Sequence, residues 1–260
     1  MTDKAVLFEM REQVGLLTLN RPDNRNSMTP ELLDGFAKAV GEARAAHDMR
    51  ALVLTGRGPC FSAGADFKSG LQRVEAALPS DRSFAMYSAF LSLLDVEVPI
   101  LAAMNGHAVG GGFGLSLLCD LRVANKTARY GANFCRLGLH SGMAISYTLP
   151  RLVGLAQASE MLLTGKLITG ERAETIGYAN YAVDAEEVVP KTLELANEIA
   201  ASAPLAVRSV RAALRRGLAG EIREAARIEA FAQAESLQTE DAREGVAAVL
   251  EKREPRFVGR

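Results

Sequence analysis

The stretch Pro99-Ile-Leu-Ala-Ala-Met-Asn-Gly-His-Ala-Val-Gly-Gly-Gly-Phe-Gly114 decides the fold class. The apolar run Pro99 to Met104 predicts a buried strand, and the glycines predict a tight turn that opens a helix over Gly110 to Asp120. Leu121 to Ala124 then predicts another strand. Strand, glycine-rich turn and helix in this order favour crossover connections and a largely parallel sheet, so we predict an α/β fold.

The segments on either side of residues 99–124 also fit an α/β fold. Val6 to Arg11 and Val14 to Asn20 alternate in polarity and predict a hairpin. Thr29 followed by Pro30 predicts the start of a helix, and Ala51 to Thr55 predicts a buried strand. Between Ser69 and Arg82 the periodicity fades, and we expect a mobile or locally rearranged segment. From Glu186 onward, helical spacing predicts four helices, at about 186–202, 204–216, 221–236 and 240–251.

Composition and charge exclude several function classes. The chain has 260 residues, 48% of them apolar, which is enough for a substantial core. Its net charge of -1 supplies no basic field to attract nucleic acid or anionic lipid. The first ten residues lack the pattern of a targeting signal, and no apolar run reaches membrane-spanning length. The cysteines and histidines form no metal-ligand spacing, so we expect a cytoplasmic protein without a metal.

Two turns could present backbone N–H groups to a ligand. The glycines at 110–112 remove side chains from the start of a helix, where the first N–H groups have no partner within the helix. The turn Ala63 to Asp66 could supply a second donor, and each donor aimed at an oxyanion is worth about 3 to 4 kcal/mol of barrier. Glycine triplets also occur where a helix packs closely on a sheet, and that interpretation stays open.

Several short motifs follow one another along the whole chain. They are Asn20-Arg-Pro22, Asn26-Ser-Met28, Phe61-Ser-Ala-Gly-Ala-Asp66, Pro99 to Gly106 with Gly110-Gly-Gly112, Cys119-Asp120, Leu149-Pro-Arg-Leu-Val-Gly154, Leu163-Thr-Gly165, Glu244-Gly245 and Glu251-Lys-Arg-Glu-Pro255. In this order they resemble the crotonase (enoyl-CoA hydratase/isomerase) superfamily. The resemblance implies a ββα spiral core with an acyl-CoA site over residues 1–200, and a helical C-terminal region over 201–260 that builds homotrimers or hexamers. Coenzyme A would enter as the thioester substrate rather than as a cofactor.

The resemblance also implies roles for single residues. The oxyanion donors would be the amides of Ala65 and Gly111, and the turn at Asn24 to Ser27 would lie along the CoA with the segment Ala65 to Lys68. The residues implied to bind substrate are Arg25, Ser27, Ala63, Asp66, Phe67, Lys68, Gly110, Gly114 and Phe134. For Arg25 and Lys68 a phosphate contact and a solvated surface charge both remain open.

Two positions depart from the family's hydratases, which carry a catalytic Glu at each. Here those positions hold Gly114 and Phe134, and neither can move a proton. Some family members place an Asp at the position of Gly142 instead. Each general acid or base contributes about a hundredfold to ten-thousandfold, so we predict that direct hydration of an enoyl-CoA is nearly abolished. We also expect Gly114 to enlarge the acyl pocket and Phe134 to make it apolar.

Other side chains near these positions could carry protons. His140 is our candidate acid or base, since imidazole exchanges a proton near neutral pH. It could instead face a subunit contact or cap the following helix. We interpret Asp120 as a structural hydrogen-bonding residue and His107 as a packing residue. Cys135 would need an activating partner to act as a nucleophile.

The predicted function is therefore an enzyme, a lyase or isomerase of the enoyl-CoA hydratase/isomerase type, that acts through a thioester enolate. Isomerisation, decarboxylation, thioester hydrolysis and retro-aldol cleavage all remain open. One alternative is a non-catalytic acyl-CoA-binding subunit. A further alternative is RNA binding through the basic residues Arg208, Arg211, Arg215 and Arg216, although acidic residues follow closely and we do not expect it.

Overall fold

The structure is a computed structural model that describes residues 4–66 and 78–260. Its strands are β1 (Val6–Arg11), β2 (Val14–Leu19), β3 (Ala51–Gly56), β4 (Cys60–Ser62), β5 (Ile100–Met104), β6 (His107–Val109), β7 (Leu121–Asn125), β8 (Arg129–Gly131), β9 (Ile168–Thr169) and β10 (Tyr181–Val183). Its helices are α1 (Pro30–Ala45), α2 (Pro79–Leu91), α3 (Gly111–Leu117), α4 (Ile145–Thr164), α5 (Gly170–Thr175), α6 (Val188–Ala201), α7 (Pro204–Leu214), α8 (Leu218–Ser236) and α9 (Glu240–Glu251).

The strands form two sheets that are linked by a repeated unit. The larger sheet has the order β1-β2-β3-β5-β7-β10, and the smaller has the order β4-β6-β8-β9. Strands β3, β5 and β7 each continue into a strand of the smaller sheet, and the helices α2, α3 and α4 follow in turn. In the larger sheet β1 pairs antiparallel with β2, and the other described strand pairs are parallel. The predicted hairpin, the largely parallel sheet and the ββα core are therefore confirmed.

The larger sheet is covered on both faces. Every residue of β3 and β5 is buried, as expected for parallel strands between helical layers. On one face, Val53 and Leu101 pack with Ala196 of α6. On the other face, Leu52 and Leu54 join a core that includes Phe36 of α1 and Phe90 of α2, whose rings meet edge to face. This burial explains why the strand sequences read as continuous apolar runs.

The helix predictions hold with one correction. Thr29 Oγ1 accepts a hydrogen bond from Leu32 N–H, and Pro30 opens α1, as predicted. The four C-terminal helices are present as α6 to α9. The helix predicted over Gly110 to Asp120 ends earlier, at Leu117. After Leu117 the Asp120 N–H donates to Ile100 O at 2.7 Å rather than to the helix, and the Arg122 guanidinium donates to the carbonyls of Ser116 and Cys119 at the helix end.

Part of the segment predicted to be mobile, residues 69–77, lies outside the described residues, and α2 begins at Pro79 directly after it. The division of the chain at residue 200 stays a prediction, although α8 packs against α2 of the core. Within residues 4–66 and 78–260, no helix is long and apolar enough to cross a bilayer.

Candidate active site

Two turns meet at one end of the smaller sheet. Gly64, in the turn after β4, lies against the turn between β6 and α3. A Cβ on Gly64 would stand 2.6 Å from Val109 O and 3.0 Å from Gly111 N. Gly64 also has a positive φ of 78°, a conformation that favours glycine. The turns that carry Ala65 and Gly111 are thus in backbone contact, and the two-donor site stays a prediction.

The direction of each amide follows from its neighbouring carbonyl. In a trans peptide the N–H points away from the carbonyl of the preceding residue. Gly64 O accepts from Met28 N–H at 2.8 Å, so the Ala65 N–H points away from Met28. Gly110 O accepts from Gly114 N–H at 3.0 Å, so the Gly111 N–H points out of the start of α3. Among residues 4–66 and 78–260, no side chain caps that helix start. Both amides are therefore oriented to donate outside their own elements.

The three glycines of this turn are needed for different reasons. Gly110 has φ 56° and ψ -122°, a region that side-chain-bearing residues avoid. A Cβ on Gly111 would overlap the sulfur of Met28. A Cβ on Gly112 would overlap Ser62 O and stand 2.6 Å from Ser62 Cβ. The close packing of a helix on a strand is therefore present in this motif, and the glycines that allow it are themselves buried.

The turn before α1 is joined to β4 by a buried amide that the site prediction missed. Asn26 is fully buried, and its Nδ2 donates to Cys60 O at 2.9 Å and to Arg57 O at 3.1 Å. Ala63 N–H donates to Arg25 O at 3.0 Å. The predicted substrate-binding residues Arg25, Ser27 and Ala63 are thereby brought to the Ala65 turn. The signal for Asn26 was present in the motif Asn26-Ser-Met28, but its partner lies far along the chain.

These predicted contact residues differ in their exposure. Arg25 is exposed in a left-handed conformation, with φ 59°, whereas the Ser27 hydroxyl is used within the turn, where it donates to Asn24 O at 2.6 Å. Asp66 directly follows Ala65 and is half-buried. Phe67 and Lys68 lie outside the described residues. Of the two basic residues predicted to meet phosphates, Arg25 is the one whose surface position the structure describes.

Phe134 borders the glycine turn. It is buried, and its Cζ stands 3.7 Å from the position that a Cβ on Gly110 would take. It lies in a short 3-10 helix, Phe134–Leu137, and its carbonyl accepts from Leu139 N–H at 3.0 Å. An apolar ring thus stands beside Gly110, where the resemblance placed a second glutamate.

The expectation that Gly114 enlarges the acyl pocket is wrong. A Cβ on Gly114 would stand 2.5 Å from Met143 Cβ and 3.2 Å from Ile145 Cγ1. The space freed by the missing side chain is therefore filled by Met143, near the end of the loop before α4, and by Ile145, the first residue of α4. A glycine at this position allows that loop to pack closely on α3.

A tyrosine fills the space beside Gly142 in the same way. A Cβ on Gly142 would overlap the hydroxyl of Tyr87, a buried residue of α2. The Tyr87 hydroxyl donates to Gln233 Oε1 of α8 at 2.8 Å. Burial raises the pKa of Tyr87, so its phenol stays protonated and acts as a donor at neutral pH. The position where some relatives place an Asp thus faces a neutral hydroxyl.

Glu229 of α8 is a buried carboxyl that the sequence analysis did not identify. It is 1% exposed, and its Oε1 accepts from Ser146 N–H at 2.8 Å and from Ser146 Oγ at 2.6 Å. Its Oε2 is buried and has no hydrogen-bond partner among the described residues. Burial raises the pKa of this carboxyl, and the two bonds from Ser146 offset that effect only in part. No local sequence pattern indicates this role, because its partner Ser146 lies 83 residues earlier in the chain.

His140 is exposed and is held by its own loop and by α8. Its Nδ1 stands 2.8 Å from Ser141 O, and its backbone N–H donates to Ser236 Oγ at 3.1 Å. Because a carbonyl oxygen can only accept, Nδ1 carries the hydrogen and Nε2 is left to take up a proton. His107, the other histidine considered, accepts from Arg129 N–H at 2.9 Å through Nδ1.

Asp120 is structural, as predicted. Its Oδ2 accepts from Ile100 N–H at 2.8 Å and from Arg211 at 2.7 Å, while Oδ1 accepts from Arg215 at 2.7 Å. Two of the basic residues considered for RNA binding are thus engaged with the core. Burial raises the pKa of Cys119 to about 12 and also raises the pKa of Cys135, so neither thiol is activated.

Comparison with known proteins identifies the family. The sequence pattern of the enoyl-CoA hydratase/isomerase family matches residues 9–260. A crotonyl-CoA hydratase of Syntrophomonas wolfei subsp. wolfei is 34% identical, with 100% of both chains covered. A short-chain-enoyl-CoA hydratase of Clostridium acetobutylicum is 33% identical, with 95% of both covered. The crystal structure of a carnitinyl-CoA hydratase from Mycobacterium avium superposes with a TM-score of 0.89 at 31% identity, covering 100% of both chains.

The sequence match covers both turns and all the helices that follow them, and the structural match covers the complete ββα core. The relatives are themselves named as hydratases of CoA thioesters. With its fold, its glycine turns and its sequence all in agreement, the chain is an enzyme that belongs to the enoyl-CoA hydratase/isomerase family.

Proposed function

We propose that this enzyme binds an acyl-CoA thioester and stabilises its enolate with the N–H groups of Ala65 and Gly111. The supporting observation is the contact between the two turns, in which each amide points away from its own element. Preorganised amides stabilise charge that develops on an oxygen in the transition state without reorganisation during the reaction. No metal is needed for this step, because the donors are fixed by the backbone.

We further propose that the reaction is not hydration. Gly114 and Phe134 supply no carboxyl group, and the space beside Gly114 is filled by Met143. Loss of two acid-base groups costs about a hundredfold to ten-thousandfold for each. Isomerisation, decarboxylation, thioester hydrolysis and retro-aldol cleavage would all use the same pair of amides with a different proton carrier.

His140 is the proton carrier that we assign, through its Nε2. The support is the contact between Nδ1 and Ser141 O, which fixes the tautomer of the neutral ring. A His140→Ala variant is expected to lower kcat by at least about a hundredfold and to leave CoA affinity unchanged. An equal kcat in the variant removes His140 from the mechanism.

The first test mixes the purified protein with crotonyl-CoA and follows the loss of enoyl-thioester absorbance, with calorimetry of binding alongside. We expect binding without rapid hydration. Rapid hydration contradicts the second proposal, and the absence of any binding contradicts the first. A panel of malonyl-type, branched and ring-bearing thioesters then separates another enolate reaction from a binding-only subunit, the alternative that the missing carboxylates favour.

We also propose a homotrimer or hexamer. The support is a set of apolar side chains left exposed on the C-terminal helices, among them Leu205, Leu214 and Phe231. Large exposed apolar surfaces mark protein contacts. Analytical ultracentrifugation tests this, and a monomer at micromolar concentration would contradict it.

A further inference from the structure

The loop at residues 139–144, called here the acyl loop, ends in an unusual backbone conformation. Met143 and Ala144 both have positive φ, 66° and 57°. Side chains with a Cβ disfavour this left-handed region, and two such residues in succession are rarer still. The shape of the acyl loop must therefore be imposed by contacts from outside it.

The acyl loop is packed between two helices. On one side Met143 lies against Gly114 of α3, and on the other Gly142 lies against the Tyr87 hydroxyl of α2. Gly114 follows Gly111 by less than one helical turn, about 4.5 Å along the axis. The loop therefore borders the part of α3 that carries the proposed oxyanion donor.

Side chains of helix α8 form hydrogen bonds at both ends of the acyl loop. At the C-terminal end, Glu229 accepts from both donors of Ser146 and, at 3.4 Å, from Ser141 Oγ. This carboxyl replaces the missing cap of α4, because the residue at the cap position, Ala144, has no side chain that can accept. At the N-terminal end, Gln233 Nε2 donates to His140 O at 3.1 Å.

We propose that Glu229 is a positioning residue for the acyl group: it caps α4 from α8 and thereby holds the acyl loop against α3, where the loop forms the wall of the acyl site. Gln233, one turn further along α8, holds the other end of the same loop. This inference rests on the proposed function, since it assumes that a thioester binds at the Ala65 and Gly111 turns. It goes beyond that proposal by assigning a role to α8, which carries none of the donors.

The test compares Glu229→Ala, Glu229→Gln and the control Glu224→Ala, an exposed glutamate of the same helix. Calorimetry measures the Kd of free CoA and of butyryl-CoA, a saturated thioester that cannot be hydrated. Hydrogen exchange measures the protection of residues 139–146 against the rest of the chain. A Ser141→Ala/Ser146→Ala variant removes side-chain donors to Glu229 from the loop side, in case Glu229→Ala does not fold.

We expect Glu229→Ala to reduce the preference for butyryl-CoA over CoA by about tenfold, the size of a lost helix cap, with faster exchange confined to residues 139–146. The affinity of Glu229→Ala for free CoA should stay within about twofold of the wild type. In Glu224→Ala the affinities for CoA and for butyryl-CoA should both stay within about twofold. Glu229→Gln keeps an accepting oxygen and should recover most of the preference. An unchanged preference, or equal losses for CoA and butyryl-CoA in the folded variants, overturns the inference. If the wild-type chain binds neither ligand, the proposed function fails instead, and unchanged exchange in Glu229→Ala would separately overturn the role of Glu229.

Discussion

The turn at residues 110–112 owes its shape to its glycines, whereas the acyl loop, which lies against the same helix at Gly114, is held by side chains of α2 and α8. In the first region Gly110 is required by its backbone conformation, Gly111 by the nearby Met28 and Gly112 by the nearby Ser62, and the groups proposed to bind the substrate are amides. In the second region the positions that could carry carboxyl groups are filled by Met143 and Tyr87. The proposed charge stabilisation therefore depends on the backbone of the fold, whereas the proposed proton transfer depends on side chains.

The largest effect is expected from Gly112→Ala, which adds a methyl group against Ser62. The methyl would overlap a backbone oxygen that cannot move aside, so the free energy of unfolding should fall by about 3 kcal/mol or more. Urea unfolding measures this. The control is Gly41→Ala, at an exposed position of α1 where an added Cβ would meet no described atom within 4 Å outside the adjacent helix backbone; this variant should gain up to about 1 kcal/mol. Equal stability of the two variants would contradict backbone control of the turn.

A smaller but more informative effect is expected from Gly114→Glu, which introduces the residue that the resemblance implies for hydratases at this position. Its Cβ would stand 2.5 Å from Met143 Cβ, so we expect a loss of about 2 kcal/mol in unfolding free energy and no gain in crotonyl-CoA hydration. Chemical denaturation and the absorbance assay check both points. If this variant hydrates crotonyl-CoA and the wild type does not, the acyl loop must move aside for a side chain at 114. The proposal that the loop is held against α3 would then be wrong.

The pH dependence of stability should reveal Glu229. Its carboxyl has a raised pKa in the folded state, so the folded chain keeps a proton that the unfolded chain releases. The retained proton stabilises the folded chain, and this stabilisation is complete below the unfolded pKa of about 4.3. It is lost as pH rises through the pKa of Glu229 in the folded chain, and the free energy of unfolding then falls by at most about 1.4 kcal/mol per pH unit. His140 and Tyr87 face the same carboxyl, and a charged His140 lowers its pKa.

The measurement is the difference in unfolding free energy between the wild type and Glu229→Gln, taken from pH 4.5 to 8, because groups shared by both proteins cancel. The wild type should lose stability relative to the variant as pH rises. A flat difference would mean that Glu229 titrates alike in the folded and unfolded chains, which its burial argues against.

The smallest effect is expected from Phe134→Leu, which keeps an apolar side chain beside Gly110. Unfolding free energy should change by less than about 1.5 kcal/mol, and butyryl-CoA affinity should fall severalfold while CoA affinity holds. Calorimetry with both ligands measures this. If butyryl-CoA binds the variant and the wild type equally tightly, Phe134 does not contact the acyl group, and the acyl loop alone would form that side of the site.

The sequence predicted what depends on local signals. The alternation in β1 and β2, the Thr29 cap of α1 and the helical spacing after Glu186 each have their cause within a few residues. The glycine turn was also predicted, because glycines in succession permit backbone conformations and close approaches that side chains exclude.

The sequence could not reveal what lies opposite a given residue. The space beside Gly114 was interpreted as empty, because nothing near it in the chain indicates that Met143 returns to fill it. Tyr87 and Gln233 stand 146 residues apart, and their hydrogen bond depends on how α2 and α8 pack. The contact between the two turns could therefore be anticipated from motifs, whereas the side chains packed around them required the fold.

The most direct test of the backbone donors is the infrared spectrum of butyryl-CoA labelled with carbon-13 at the thioester carbonyl, recorded free and bound to the protein. If Ala65 and Gly111 both donate to the carbonyl oxygen, its stretching band should move to lower wavenumber on binding, since hydrogen bonds weaken the C=O bond. The shift should persist in His140→Ala and in Glu224→Ala. A bound thioester whose carbonyl band stays at the position seen in water would contradict the assignment of these amides.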